Sequence, residues 1–165
     1  MIKQVIIIRK DLNMRKGKMI AQGAHASMKV LVGQMKLHTV DFKNRKGEEC
    51  PKIGMIFFPD ANTVSWLKGK FTKIVVACNG EEELFELKQK AIDSKLPNAI
   101  IQDCGDTEFK KACTHCIPGM KGDESISCIF CNDTGVINCP TYTALAIGPA
   151  GVEEIDKITG HLKLL

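Results

Sequence analysis

Apolar residues occur in short bursts along the chain, and their spacing changes from one burst to the next. Val5-Ile6-Ile7-Ile8 is a continuous β-branched run, which predicts a strand buried on both faces. From Met19 to about Met35 the apolar and small positions Met19, Ile20, Gly23, Ala24, Ser27, Met28, Leu31 and Val32 follow helical spacing. The small residues Gly23, Ala24 and Ala26 suggest that this helix packs closely on a sheet. Residues 73–78, 98–102 and 141–147 read as three further strands. Glu81, Glu82 and Glu83 fall in the first turn of a helix, where negative charge suits the helix dipole, and Leu84, Leu87, Ala91 and Ile92 supply its apolar face. Val152, Ile155 and Ile158, three apart, mark a last helix, and residues 161–165 a short extended end. The stretch between 36 and 70 is less regular. Residues 43–49 read as a polar loop or hairpin tip, residues 52–58 as a short strand, and Asp60 or Asn62 as the cap of a short helix carrying Trp66.

That order predicts a single α/β domain over residues 1–165: a mixed, mostly parallel four-stranded sheet with helices on both faces. No apolar run approaches the ~20 residues of a membrane helix. The amino-terminal run is too short for a signal-peptide core, so the expected location is cytoplasmic, with no membrane partner. The net charge of +4 is compatible with a polyanionic partner and equally with an ordinary solvated surface.

The chain has eight cysteines, many for a reducing compartment. Four of them form two CxxC pairs, Cys113/Cys116 and Cys128/Cys131, separated by a polar, glycine-containing loop. Two such turns can aim four thiolates at one tetrahedral zinc. Redox use of a CxxC would not account for the second pair. A closed set of four thiolates leaves no coordination position for water, so the expected Zn2+ is structural and the reaction step needs none. Cys139 or His115 are possible replacement ligands. Cys50, Cys78 and Cys104 have no partner spacing, and Cys78, ending a strand, reads as a core residue.

Three polar clusters flank the expected strands. Residues 9–18 carry several cations between the first strand and the long helix, which is a natural anion site and equally a solvated basic loop. Residues 102–107 follow the third strand and place Asp103 and Thr107 around a Gly105 turn. Those two can share one pocket, although Asx and Thr turn chemistry explains the segment as well. Thr159-Gly160 reads as a helix stop before a docking tail. His25, inside the long helix, is more simply a packed helix residue than a catalyst.

Together, residues 3–27 (KQVIIIRKDLNMRKGKMIAQGAHAS), 82–107 (EEELFELKQKAIDSKLPNAIIQDCGDT) and 143–165 (TALAIGPAGVEEIDKITGHLKLL) resemble the archaeal and eukaryotic type of peptidyl-tRNA hydrolase. The resemblance covers roughly two thirds of the chain in the right order. It implies a four-stranded mixed sheet, usually dimeric, and hydrolysis of the ester joining a peptidyl group to the tRNA 3′ ribose. The family's functional lysine, aspartate and threonine fall on Lys18, Asp103 and Thr107. Arg15, Lys16, Gln22 and His25, in and beside the same amino-terminal motif, become candidates for contact with tRNA. Two departures stand out: the family usually has glycine at the position of Arg15 and arginine at that of Asp106. It also usually lacks the insertions at about 36–65 and 110–140, the second being the expected zinc knuckle. The competing expectation is a non-catalytic RNA- or ribosome-binding module on the same scaffold, with an adaptor acting through the knuckle a weaker third.

Overall fold

In the computed structural model, residues 1–40, 43–49, 52–113, 131 and 134–165 are described. Among them, β1 (Ile2–Arg9) leads into α1 (Lys16–Val32), followed by β2 (Met35–Val40) and β3 (Lys52–Phe57). Next come α2 (Ala61–Lys68), β4 (Lys73–Cys78), α3 (Glu81–Asp93) and β5 (Asn98–Asp103). The chain ends with β6 (Lys110–Ala112), β7 (Val136–Asn138), β8 (Thr141–Gly151), α4 (Val152–Thr159) and β9 (Lys163–Leu164). The main sheet has the order β5-β8-β1-β4-β9.

Two expectations about that sheet are corrected. It has five strands where four were expected, because Lys163 and Leu164 at the carboxyl end pair with Ala77 and Val76. It is also mostly antiparallel. Among the described residues only β1–β4 runs parallel, and β1–β8, β5–β8 and β4–β9 run antiparallel. The reason lies in the connections. β1 reaches β4 through helices, as a parallel pair requires. β5 and β8 are joined through the β6–β7 hairpin, so β8 returns beside β5 in the opposite direction.

Residue alternation along β1 assigns the two faces of the sheet. Val5 and Ile7 join Val76, Leu145 and Ile147 beneath Leu84, Leu87 and Ala91 of α3 and Ile155 and Ile158 of α4. Ile6 and Ile8 join Ile101, Ala144 and Ala146 beneath Ala26 and Val30 of α1. Each fully buried aliphatic side chain contributes about 1.5–3 kcal/mol. Of the three small residues expected to face the sheet, Gly23 and Ala26 are buried and Ala24 is exposed; a Cβ added at Gly23 would meet Ile6 at 3.5 Å, an ordinary contact, so that position has room for a small side chain.

β2 and β3 pair antiparallel as a separate two-stranded sheet, and between them Asn44 accepts from the amides of Lys46 and Glu48. Asp60 caps α2 by accepting from the Thr63 amide at 2.7 Å, one of the two cap residues expected. Gly160 does end α4, but with ordinary helical φ (−65°). Glycine is needed there for space, since a Cβ would lie 2.6 Å from the Asp156 carbonyl. Cys78 is fully buried, as expected, and burial pushes its thiol pKa up to about 11. No helix among the described residues is long and apolar enough to cross a membrane.

Candidate active site

The carboxyl ends of β1 and β5, the start of β8 and the amino end of α1 meet at one edge of the sheet. The start of α1 breaks the usual rules for a helix. Its N-cap is Arg15, no side chain caps it, and its first turn has no acidic residue. Lys16 and Lys18 add positive charge where the helix dipole is already positive. Such a local cost is expected where a site collects anionic groups.

Lys18 projects from this turn to the end of β5. Its Nζ donates to Asp103 Oδ2 at 2.5 Å and to Thr107 Oγ1 at 3.0 Å. The ion pair is largely enclosed, with side chains 14 % and 9 % exposed. Three residues separated by up to 89 positions in the chain therefore converge on one ammonium group. The Phe109 ring lies 5.7 Å from Nζ and closes one side.

Asp103 is held from further directions. Gln22 Nε2 donates to Oδ2 at 2.7 Å, and the Gly105 amide donates to Oδ1 at 2.9 Å. Burial by itself would raise the Asp103 pKa. Hydrogen bonds from Lys18 and the Gly105 amide, the charge of Lys18 and the bond from Gln22 together outweigh it and hold the carboxyl below its ordinary range. Gly105 makes the turn possible: its φ is +84°, and a Cβ would lie 2.7 Å from the Cys139 amide nitrogen.

The remaining expected contacts separate. Gln22 was expected to face tRNA, but it is 2 % exposed and sits behind Asp103. Thr143, fully buried on β8, donates to Gln22 Oε1 at 2.7 Å and so turns the amide N–H groups towards the carboxylate. Sequence reasoning missed Thr143. Its only signal was a hydroxyl inside an otherwise apolar run, which demands a buried partner. Arg15 lies over the loop after Thr107 and pairs with Glu108 at 2.8 Å. His25 is exposed on α1. Lys16 lies on the other flank of α1, where it lines a groove of about 680 Å³ with Ile8, Ile20, Met28 and Val75.

The basic run 9–18 is only in part an open cationic surface. Arg9 is buried and held by Asp11, Glu81 and the Tyr142 carbonyl. The bond and charge of Asp11 and Glu81 raise its pKa, and the partnership lowers that of Asp11.

Of the expected zinc ligands, Cys113 and Cys131 are buried at the far end of the β6–β7 hairpin. The Cys113 amide donates to the Gly135 carbonyl at 2.9 Å, and Thr134 Oγ1 donates to the Cys131 carbonyl at 2.6 Å. Cys116 and Cys128 lie outside the described residues, as do Cys50 and His115. Among the described residues, no group of three or more His, Cys, Asp or Glu is arranged to hold a metal. The Cys139 amide donates to the Phe109 carbonyl at the opposite end of the hairpin, four residues, or ~13 Å of strand, before Cys113.

The family model for peptidyl-tRNA hydrolase PTH2 matches residues 2–165. The chain belongs to the PTH2 family. It is 35% identical to the peptidyl-tRNA hydrolase of Methanocaldococcus jannaschii over 164 residues, covering 99% of this chain and 100% of that one. It is 34% identical to the peptidyl-tRNA hydrolases of Thermococcus onnurineus and Sulfurisphaera tokodaii, each over 163 residues, covering 99% of this chain and 97% and 98% of theirs. The convergence of Lys18, Asp103 and Thr107 thus occurs in a PTH2 chain matched along nearly its whole length.

Proposed function

We propose that Lys18, Asp103 and Thr107 form the hydrolytic centre of this PTH2 enzyme, which cleaves the ester of peptidyl-tRNA to release tRNA and peptide. The observation that carries the assignment is a single ammonium shared between a carboxylate and a hydroxyl at the positive end of a helix. Ester hydrolysis needs a placed water and a positive group facing the charge that develops on the carbonyl oxygen. Lys18 supplies the positive group. Asp103, held below the ordinary carboxylate range, is a weak base at neutral pH. Its assigned work is to orient Lys18 and the attacking water. Thr107 accepts from Lys18, so its own O–H is left to donate to water or a substrate oxygen. His25, Arg15 and Lys16 are assigned to contact with the tRNA backbone.

No metal enters the reaction step in this reading. Zn2+ is assigned to Cys113, Cys116, Cys128 and Cys131, where thiolate donors suit it, and its chemistry there is to cross-link the hairpin end. We also assign a homodimer, working in the cytoplasm, whose interface covers the apolar part of the groove beside α1 around Ile20 and Met28 and leaves Lys16 at its rim. Ile20 and Met28, 74% and 54% exposed, border that groove, and Ile20→Glu should convert dimer to monomer in light scattering.

The enzyme assignment is tested with an N-acylated aminoacyl-tRNA by following release of free tRNA. Lys18→Ala should lower kcat by about 10²–10³, the effect of removing one oxyanion donor, and Asp103→Ala should abolish turnover while circular dichroism shows the fold retained. Undiminished cleavage by Asp103→Ala removes that residue from the mechanism. Binding of acylated tRNA by the wild-type protein without cleavage would favour the non-catalytic RNA-binding module.

A further inference from the structure

Thr107 lies in an irregular loop between β5 and the β6–β7 hairpin, and it is exposed. Its precision as a site residue cannot come from a strand ladder or from burial. Besides the bond from Lys18 at 3.0 Å, the contacts of its neighbours supply the hold. Asp106, immediately before it, accepts from Asn138 Nδ2 at 2.6 Å through Oδ1 and from Cys104 Sγ at 2.9 Å through Oδ2. Asn138 belongs to β7, where it pairs with Lys110. The Cys139 amide then donates to the Phe109 carbonyl at 2.8 Å, and Gly105 rests on the Cys139 backbone.

We propose that Asp106 and Asn138 form a positioning clamp for Thr107, which makes the β6–β7 hairpin part of the active-site scaffold. The proposal rests on the assignment of Thr107 to the hydrolytic centre. It also gives a physical reason for an acidic residue beside a site that receives a polyanion. Both Asp106 oxygens accept hydrogen bonds within the scaffold, from Asn138 and from Cys104. The geometry ties the loop to the same hairpin that carries Cys113 at its other end, so the inserted segment holds the reaction centre in place from outside the main sheet.

The test compares Asp106→Ala, Asn138→Ala, their combination, and the exchanged pair Asp106→Asn with Asn138→Asp. Each single alanine variant should lose roughly tenfold to a hundredfold in kcat, the scale of a misplacement of about 1 Å, with KM for acylated tRNA changed by less than about threefold. The double alanine variant should be no worse than the poorer single, because both changes break one contact. The exchanged pair restores a donor facing an acceptor and should recover most of the lost rate. Amide hydrogen exchange over residues 104–109 should quicken in the alanine variants and slow again in the exchanged pair. That readout does not depend on turnover. Unchanged exchange and kcat in Asn138→Ala overturn the clamp, as does faster cleavage by Asp106→Ala, which would make Asp106 a repulsive charge. Thr107→Ala, assayed alongside, separates the two levels: full activity there removes Thr107 from the centre, whereas an impaired Thr107→Ala with an unaffected Asn138→Ala defeats the clamp alone.

Discussion

Replacing Gln22 by methionine probes the part of the site that lies out of sight of the substrate. Methionine keeps the reach and approximate volume of glutamine but donates no hydrogen bond. The substitution removes the 2.7 Å bond to Asp103 and the 2.7 Å bond from Thr143. A bond to a charged acceptor contributes about 1.5–3 kcal/mol and a neutral one about 1 kcal/mol. Thr143 keeps only a weak alternative, the Ile101 carbonyl at 3.5 Å. The net destabilisation should be about 2–4 kcal/mol, which for a chain of this size lowers Tm by roughly 4–16 °C. Asp103 keeps its bonds from Lys18 and Gly105, so it stays in place but with more angular freedom. Loss of about 1.4–2.7 kcal/mol of transition-state stabilisation corresponds to a kcat about 10–100-fold lower. Gln22 is buried, so KM for acylated tRNA should change little. Steady-state cleavage and thermal melts on the same preparations give all three quantities. A kcat within twofold of wild type with a strongly raised KM would refute the reasoning, because it would make Gln22 a substrate contact.

Three further outcomes are expected. Because the folded-state pKa of Asp103 is depressed from 3.8, its ion pair stabilises the fold fully above the unfolded carboxyl pKa and loses that contribution as pH falls through the lower folded value. The urea-midpoint difference between wild type and Asp103→Asn should therefore be constant from about pH 7 to 5 and shrink below about pH 4, and a difference that vanishes already near pH 6 contradicts the assignment. Gly105→Ala forces a positive φ on alanine and a Cβ into the Cys139 backbone; it should cost about 1–3 kcal/mol and lower kcat, whereas a melt and rate equal to wild type would show that the turn relaxes freely. Elemental analysis after purification without chelators should give about one zinc per chain, as one tetrahedral four-cysteine site holds, reduced in Cys113→Ser. Chelation should speed amide exchange in β6 and β7 while the main-sheet strands stay protected, and under half a zinc per chain would rule out the knuckle.

Much of the architecture was legible because periodicity reports burial, and burial is largely a local pattern. The β-branched run in β1, the helical spacing in α1 and the three glutamates opening α3 each located an element from its own residues. The turn around Asp103, Gly105 and Thr107 was also visible as neighbouring residues, but turn chemistry explained it as well as a pocket did, and only the family resemblance singled out Asp103 and Thr107 as site residues. Strand direction was not. An apolar run looks the same whichever way its partner travels, so the antiparallel placement of β8 between β1 and β5 and the addition of β9 emerged only from tertiary pairing. The same limit applies to Gln22, Thr143 and Asp106. As sequence they are ordinary polar residues. Tertiary packing brings Thr143 to Gln22 across 121 positions and Asn138 to Asp106 across 32, and no local pattern reports such long-range donor–acceptor matches.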